Sequence, residues 1–307
     1  MKVMIIGSTH AGTAAAREIL TRHPETAVTI YERNDNVSFV SSGIYLYLTG
    51  VIQHLEDMFY TSPSDLKQLG AQVKTRHNVL RIDTGHKTVQ VANMQTGEVF
   101  DDTYDKLIMA TGSSVIVPPI MGIDHEKVLL CKNYEQAEQL YQSLQANQRV
   151  AIVGAGYMGT ELAESYASMD QQVMLFHSHS HILNNYLGPQ MADAATKLLQ
   201  HHQVDIHLNE RVTGFASGSN DQLIVETAQG DYEVDLAVVC AGFMRLGMLA
   251  WSIIIPRDSR RIHHWQLTHC AKVRWRGSMF SEIYSRTWER KPPQPCNYLI
   301  TRWPQLG

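Results

Sequence analysis

The sequence repeats one local pattern at a distance of 147 residues, counted from Gly7 to Gly154, and that repeat limits the folds open to the chain. Near the start, KVMII (2–6) is a short apolar run that stops at Gly7 and reaches Gly12 through Ser8-Thr9-His10-Ala11. An Ala-rich helical stretch, 14–21, follows, Pro24 lies past its end, and AVTIY (27–31) is the next apolar run. In the middle of the chain, RVAIV (149–153) enters Gly154-Ala155-Gly156-Tyr157-Met158-Gly159, a helical stretch reaches Ser168, and QVMLF (172–176) closes the unit. Continuous apolar runs, rather than alternating ones, are what strands covered on both faces require. Strand, glycine turn, helix and second strand make a βαβ unit, so the pattern predicts an α/β protein built on two of them. Each unit is followed later by a strand that stops at a small-residue corner. KLIMA (106–110) ends at Thr111-Gly112, and DLAVVC (235–240) ends at Ala241-Gly242.

Between these landmarks, 79–83, 87–92 and 97–101 alternate enough for a small antiparallel meander with turns near Gly85 and Gly97. Helices are predicted over 65–70, 134–146 and 190–202, and a hairpin over 223–234 about Gly230. Pro118-Pro119 marks a crossing between domains. The division that follows is 1–112, 113–244 and a tail over 245–307.

The glycine turns carry the first chemistry. Gly154-x-Gly156-x-x-Gly159 follows a strand and opens a helix. The first glycine permits the tight turn, the second lets the backbone approach a pyrophosphate, and the third lets helix and strand pack closely. The helix N-terminus then faces the phosphate charge. In the first unit Thr9 stands at the place of the middle glycine, and Glu32 ends the second strand, where a carboxylate can accept from ribose hydroxyls. Two dinucleotide sites on one chain suit one bound flavin and one exchangeable nicotinamide, cofactors whose chemistry a protein only positions.

Composition excludes several alternatives. A formal net charge of -4 gives no electrostatic case for nucleic acid or a membrane surface as the main partner. No apolar run reaches the roughly 18 residues of a membrane-spanning helix. The four cysteines are too scattered for a disulfide scaffold, and the first residues read as a buried strand rather than a signal peptide, so the expected compartment is the cytoplasm. The average conceals a break. Residues 245–307 hold 11 Lys/Arg against 3 Asp/Glu and all five Trp, without clear periodicity. They read either as a basic arm or as a segment that did not evolve with the rest, as after a reading-frame change. The clustering of Trp, Arg and Pro favours the second.

The segments GSTHAGTAAA, SFVSSGIYLYLTG, DKLIMATGS and VGAGYMGTELAE together resemble the NADH oxidases of the pyridine nucleotide-disulfide oxidoreductase family, with NADH peroxidase and coenzyme A-disulfide reductase as near relatives. The resemblance covers residues 1 to about 244. It implies two Rossmann-like units, the first incomplete, with FAD on the first and NAD(P)H on the second. Gly7, Thr9, Gly12 and Glu32 would then hold the ADP half of FAD, and the corner Ala110-Thr111-Gly112 would approach it. Gly154, Gly156 and Gly159 would hold the nicotinamide dinucleotide, with Tyr157 and Glu161 nearest the nicotinamide. His10 falls on the family's active-site histidine beside the flavin. The implied activity passes hydride from NAD(P)H to flavin and on to oxygen or a peroxide.

Three departures qualify that implication. The family's redox cysteine in SFxSCGI is Ser42 here, and a hydroxyl cannot cycle through sulfenic acid. The acidic residue expected after the second unit's last strand is His177, which weakens selection of NADH over NADPH and could attract a 2′-phosphate when protonated. Nothing after 244 matches the segment completing the flavin domain or the dimer-interface domain, so the chain reads as truncated. That leaves two rivals open: a nucleotide-binding module without turnover, and an inactive product. His177-x-His179-x-His181 is read as an exposed loop beside the adenosine ribose rather than a metal site.

Overall fold

The computed structural model describes residues 1–245; the two readings of the tail concern residues outside that range. Strand β1 (Lys2–Ile6) pairs in parallel with β2 (Ala27–Tyr31), Lys2 opposite Ala27 and Ile6 opposite Tyr31, through the crossover helix α1 (His10–Arg22). Met4, Ile5 and Ile30 have no exposed surface, as strands covered on both faces demand. Each such side chain contributes roughly 1.5–3 kcal/mol through burial. Helix α1 buries Thr13, Ala16 and Leu20, a stripe at helical spacing, and Ala16 and Leu20 pack with Val3, Ile5, Val28 and Ile30. It begins at His10 rather than at Ala14, because the Thr9 carbonyl already accepts from Thr13 N–H at 3.4 Å.

Two short helices follow, α2 (Ile44–Leu48) and α3 (Pro63–Gln68). Ser62 and Asp65 close a reciprocal capping box around Pro63, so α3 starts two residues before the predicted 65. Strand β3 (Ala71–Lys74) adds to β2. Strands β4 (His77–Asp83), β5 (Thr88–Asn93) and β6 (Val99–Thr103) form the expected antiparallel meander. Its Val89 and Val91 cover Met4 and Tyr31. Strand β7 (Lys106–Met109) returns beside β1, giving the parallel order β3-β2-β1-β7.

The second half repeats the plan. Strands β8 (Ser113–Val115) and β9 (Val128–Leu130) lead to α4 (Tyr134–Gln142), capped by Asn133 and Gln136. This helix stops four residues short of the predicted 146. Ser143 Oγ donates back to Leu140 O at 2.8 Å, and Gln148 donates to Ser143 O while accepting from Gln145 N, so local side-chain bonds replace the next helical turn. Strand β10 (Arg149–Val153), helix α5 (Tyr157–Ser168) and β11 (Gln172–His177) are the second βαβ unit, again parallel and in register, Val153 opposite Phe176. Helix α6 (Pro189–His201) and β12 (Asp205–Leu208) extend it. An antiparallel trio, β13 (Val212–Ser217), β14 (Leu223–Thr227) and β15 (Asp231–Val234), precedes β16 (Leu236–Val239) and β17 (Phe243–Arg245). The larger sheet has the order β12-β11-β10-β16-β9, and β17 pairs with β8. In each parallel sheet the chain reverses its direction of growth beside the glycine turn, between β1 and β7 and between β10 and β16. Such reversals open a crevice at the strands' carboxyl ends where ligands bind.

Candidate dinucleotide sites

The two turns are built alike, and backbone crowding explains the glycines. Gly7 and Gly154 take φ of +93° and +106°, and a Cβ on either would fall inside the carbonyl oxygen of Ala110 or Cys240. Those carbonyls belong to the small-residue corners after β7 and β16, so turn and corner press on each other. A Cβ on Gly12 or Gly159 would meet the carbonyl of Gly7 or Gly154. Gly156 differs: nothing lies within 4 Å of its would-be Cβ, which leaves open space at the crevice. Gly112, at φ +65°, likewise faces open space, with Thr111 half-buried beside it.

The helices behind these turns are left bare. Neither Thr9 before α1 nor Gly156 before α5 supplies a side-chain cap, and neither first turn carries an acidic residue. Helices α3 and α4 both close their first N–H groups with capping boxes. An uncapped start, its dipole positive outward and glycine backbone around it, suits the pyrophosphate of a dinucleotide. The residues present therefore fit such a group at both turns.

A polar strand end completes each site. Glu32 is buried at 5% exposure, and its Oε2 accepts from Ser8 N–H at 2.7 Å and from Ser8 Oγ at 2.9 Å, while Oε1 accepts from Asn34 N–H at 2.9 Å. In the second unit His177 takes the same place: its Nδ1 accepts from Ala155 N–H at 3.2 Å. That amide fixes the tautomer, with the proton on Nε2, which lies 3.1 Å from Asn184 Oδ1. Burial, with a smaller contribution from His179, holds the His177 pKa below the ordinary histidine value. The expectation that a protonated His177 could attract phosphate is corrected accordingly: both ring nitrogens are engaged and the charged form is disfavoured.

His10 is the first residue of α1, not a turn residue, and its ring stacks on Tyr60 with centroids 5.6 Å apart and planes 10° from parallel. The Tyr60 hydroxyl donates to Thr9 O at 3.1 Å. Partial burial and then the Lys132 ammonium push the His10 pKa down, which favours the neutral imidazole. Ser42 lies exposed in a short turn, Ser41–Gly43, with no hydrogen bond to its hydroxyl among the described residues. That segment is hooked to the first turn by Ser38, whose N–H donates to Ser8 O at 2.9 Å and whose Oγ donates to Thr61 O at 2.7 Å. Glu161, on α5, has its pKa pushed up to about 7, by burial first and by Glu164 second. Tyr157 opens α5 with its ring 4.1 Å from Tyr186.

Sequence reasoning missed Tyr60, Ser38 and Asn184. No periodicity singles them out, although the non-glycine positive φ of Ser38, 64°, has the signature of a fixed corner. The three histidines form no ligand set: the rings of His177 and His179 are 5.1 Å apart, and no group of metal-ligating side chains exists among the described residues.

Two nucleotide crevices on one chain, each with a bare helix and a polar strand end, define the class of two-dinucleotide α/β proteins. The family model for pyridine nucleotide-disulphide oxidoreductases matches residues 1–245, and the chain belongs to that family. An NADH oxidase of Enterococcus faecalis is 45% identical over 244 residues, covering 79% of this chain and 55% of the relative. A coenzyme A disulfide reductase of Staphylococcus haemolyticus is 27% identical over 214 residues, covering 69% of this chain and 48% of the relative. Among solved structures, a water-forming NADH oxidase from Lactobacillus brevis bound to NADH is similar at 42% identity and a TM-score of 0.77, covering 79% of this chain and 54% of that one. An engineered water-forming NADPH oxidase bound to NADPH, a mutant of that enzyme, is similar at 41% identity and the same TM-score, with the same coverage. The chain spans about half the length of the curated relatives it matches.

Proposed function

We propose that the chain is a flavin oxidoreductase of the NADH oxidase type, taking FAD at the first turn and NAD(P)H at the second, on domains spanning 1–112 and 113–244. The observation that carries this reading is the pair of uncapped glycine-turn helices, each with its strand-end partner, Glu32 or His177. FAD, when bound, would accept hydride from the nicotinamide and pass electrons on, in the family's full reaction to oxygen or a peroxide. The protein's own residues bind and orient. Glu32 braces the Ser8 amide and retains acceptor capacity for a ribose hydroxyl. The neutral His10, its plane set by Tyr60, can take up a proton beside the first crevice. Glu161, titrating near neutrality, and Tyr157 stand at the start of α5 for the nicotinamide end. Ser42 offers a hydroxyl where the family carries its redox thiol, so oxygen reduction stops at peroxide. No helix among the described residues is long and apolar enough to cross a membrane, in keeping with a proposed cytoplasmic enzyme.

A second reading, a nucleotide-binding module without turnover, rests on Ser42, an exposed hydroxyl where the family carries its redox thiol. Purified protein incubated with FAD separates the two. A yellow sample bleached anaerobically by NADH supports the oxidoreductase. A colourless sample that binds NADH supports the module. Failure to bind either nucleotide sinks both.

A further inference from the structure

We infer that Cys131 and Cys240 are a dithiol that hydrogen peroxide closes to a disulfide, tying β9 to β16 behind the second glycine turn. The placement follows from strand register. Strands β9 and β16 pair in parallel, with Ala237 opposite Val128, Val238 opposite Leu129 and Val239 opposite Leu130. The next residue on each chain segment is a cysteine, so Cys240 falls opposite Cys131. Register partners in a parallel pair carry their side chains on the same face. That face is the one α5 covers, because a Cβ on Gly159 of α5 would lie 3.5 Å from the Cys240 Cβ. Tyr166, fully buried further along the same helix, has its pKa raised by burial first and then by both thiols. Register and the α5 contacts therefore set the two thiols side by side.

Adjacent strands lie about 4.7–4.9 Å apart, inside the roughly 4.4–6.8 Å between Cα atoms that a disulfide bridges. Both cysteines are free thiols. Cys240 is fixed, its N–H donating to Val153 O at 2.7 Å. Cys131 follows β9, a three-residue strand at the edge of its sheet, and supplies the movement that closure needs. Burial raises both thiol pKa values, that of Cys240 to about 12, so thiolate is scarce and closure is slow. Cys240, partly exposed where Cys131 is buried, meets the oxidant first. Its sulfur attacks one peroxide oxygen, the O–O bond breaks, and one water leaves as the thiol becomes a sulfenic acid. The Cys131 sulfur then attacks the sulfenic sulfur, the S–S bond forms, and the hydroxyl leaves as a second water with the Cys131 proton. Two thiols lose two electrons, and one peroxide becomes two waters. Each closure consumes one peroxide per chain, so the pair does not convert the product of turnover to water. Peroxide is what the proposed oxygen chemistry releases, but added peroxide closes the pair equally, whatever the chain oxidises. The Cys240 carbonyl is the one that crowds Gly154, so the link fixes the corner behind that turn.

The test treats the folded full chain with hydrogen peroxide, alkylates the remaining thiols under denaturation, and digests with trypsin without reductant. Cuts after Lys127, Lys132, Arg211 and Arg245 place the two cysteines in peptides 128–132 and 212–245. Mass spectrometry should find these peptides joined, lighter than their sum by two hydrogens, and separated by dithiothreitol. The oxidised chain should melt at least about 5 °C above the reduced one, because a link across about 110 residues removes freedom from the unfolded chain. Cys131→Ala should lose both effects, and Cys240→Ala, made separately, should lose them too. Cys240 carried to sulfinic acid with Cys131 still open to alkylation overturns the inference. So does a link from either residue to Cys270 or Cys296, or a 131–240 link that forms only in urea.

Discussion

Replacing Glu32 by Ala should destabilise the nucleotide-free chain severely, and the structure sets the scale. The carboxylate accepts three hydrogen bonds, two of them from Ser8, which is fully buried. With the acceptor gone, the Ser8 amide and hydroxyl have no route to water, whereas the Asn34 amide lies in a part-buried position that solvent can reach. A buried donor left unpaired costs about 1–3 kcal/mol, so two of them cost roughly 2–6 kcal/mol. Typical domains have about 5–15 kcal/mol in all, so the loss is a large share. Glu32→Gln should cost less, because its oxygen still accepts while its NH2 group opposes the remaining donors. Urea unfolding followed by far-ultraviolet circular dichroism measures the change, read as a shift in midpoint at constant slope. An Ala variant within about 1 kcal/mol of the parent would refute the claim that the carboxylate braces the turn, since even one orphaned donor costs that much.

Three further outcomes follow from the same geometry. The Glu161 pKa, about 7 in the folded chain against an ordinary value near 4.5, means that folding favours its protonated form; stability from this group is full at acid pH and falls as pH rises through 7. Glu161→Gln should therefore gain roughly 3 kcal/mol over the parent at pH 8 and little at pH 4 in pH-dependent thermal melts, and an equal gain at both would contradict the assignment. NADH oxidation by the FAD-loaded chain should release hydrogen peroxide in step with NADH consumed, and Ser42→Cys should move the product towards water; clean water formation by the Ser42 protein, measured without catalase, would require a peroxide-reducing group that has not been found. Gly154→Ala should lower the melting temperature sharply, because both the left-handed φ and the Cys240 carbonyl oppose a Cβ, and a cost under about 1 kcal/mol would show that the turn and its corner yield.

Much of this architecture was legible in the residues because it rests on local rules. Four apolar residues in a row meeting glycine name a buried strand and its turn, and Glu32 could be placed at a strand end by counting. Element ends were harder. α4 stops where Gln148, a residue with no helical signature, reaches back to Ser143, and α3 starts where Pro63 permits it. Strands β8, β9 and β17 have three residues each, too few to show any period. The site was read least well where a residue acts through a partner distant in sequence. Tyr60 stacks on His10 from 50 residues away, and nothing in either neighbourhood announces the pairing. His177 was legible as a departure from an acidic residue. That its ring would be turned inward onto Ala155 was not, because hydrogen-bond direction exists only in three dimensions.

The uncapped starts of α1 and α5 make folding a concentration-dependent quantity. The groups that other helices satisfy with their own side chains are here left for a phosphate to satisfy, so part of each helix's cap is diffusible. A nucleotide that binds only the folded chain adds about 2.7 kcal/mol at a hundred times its dissociation constant, and two sites add separately. The share of chains folded at a given moment would then follow the supply of dinucleotide around them, and a melting curve would serve as a gauge of how much is bound.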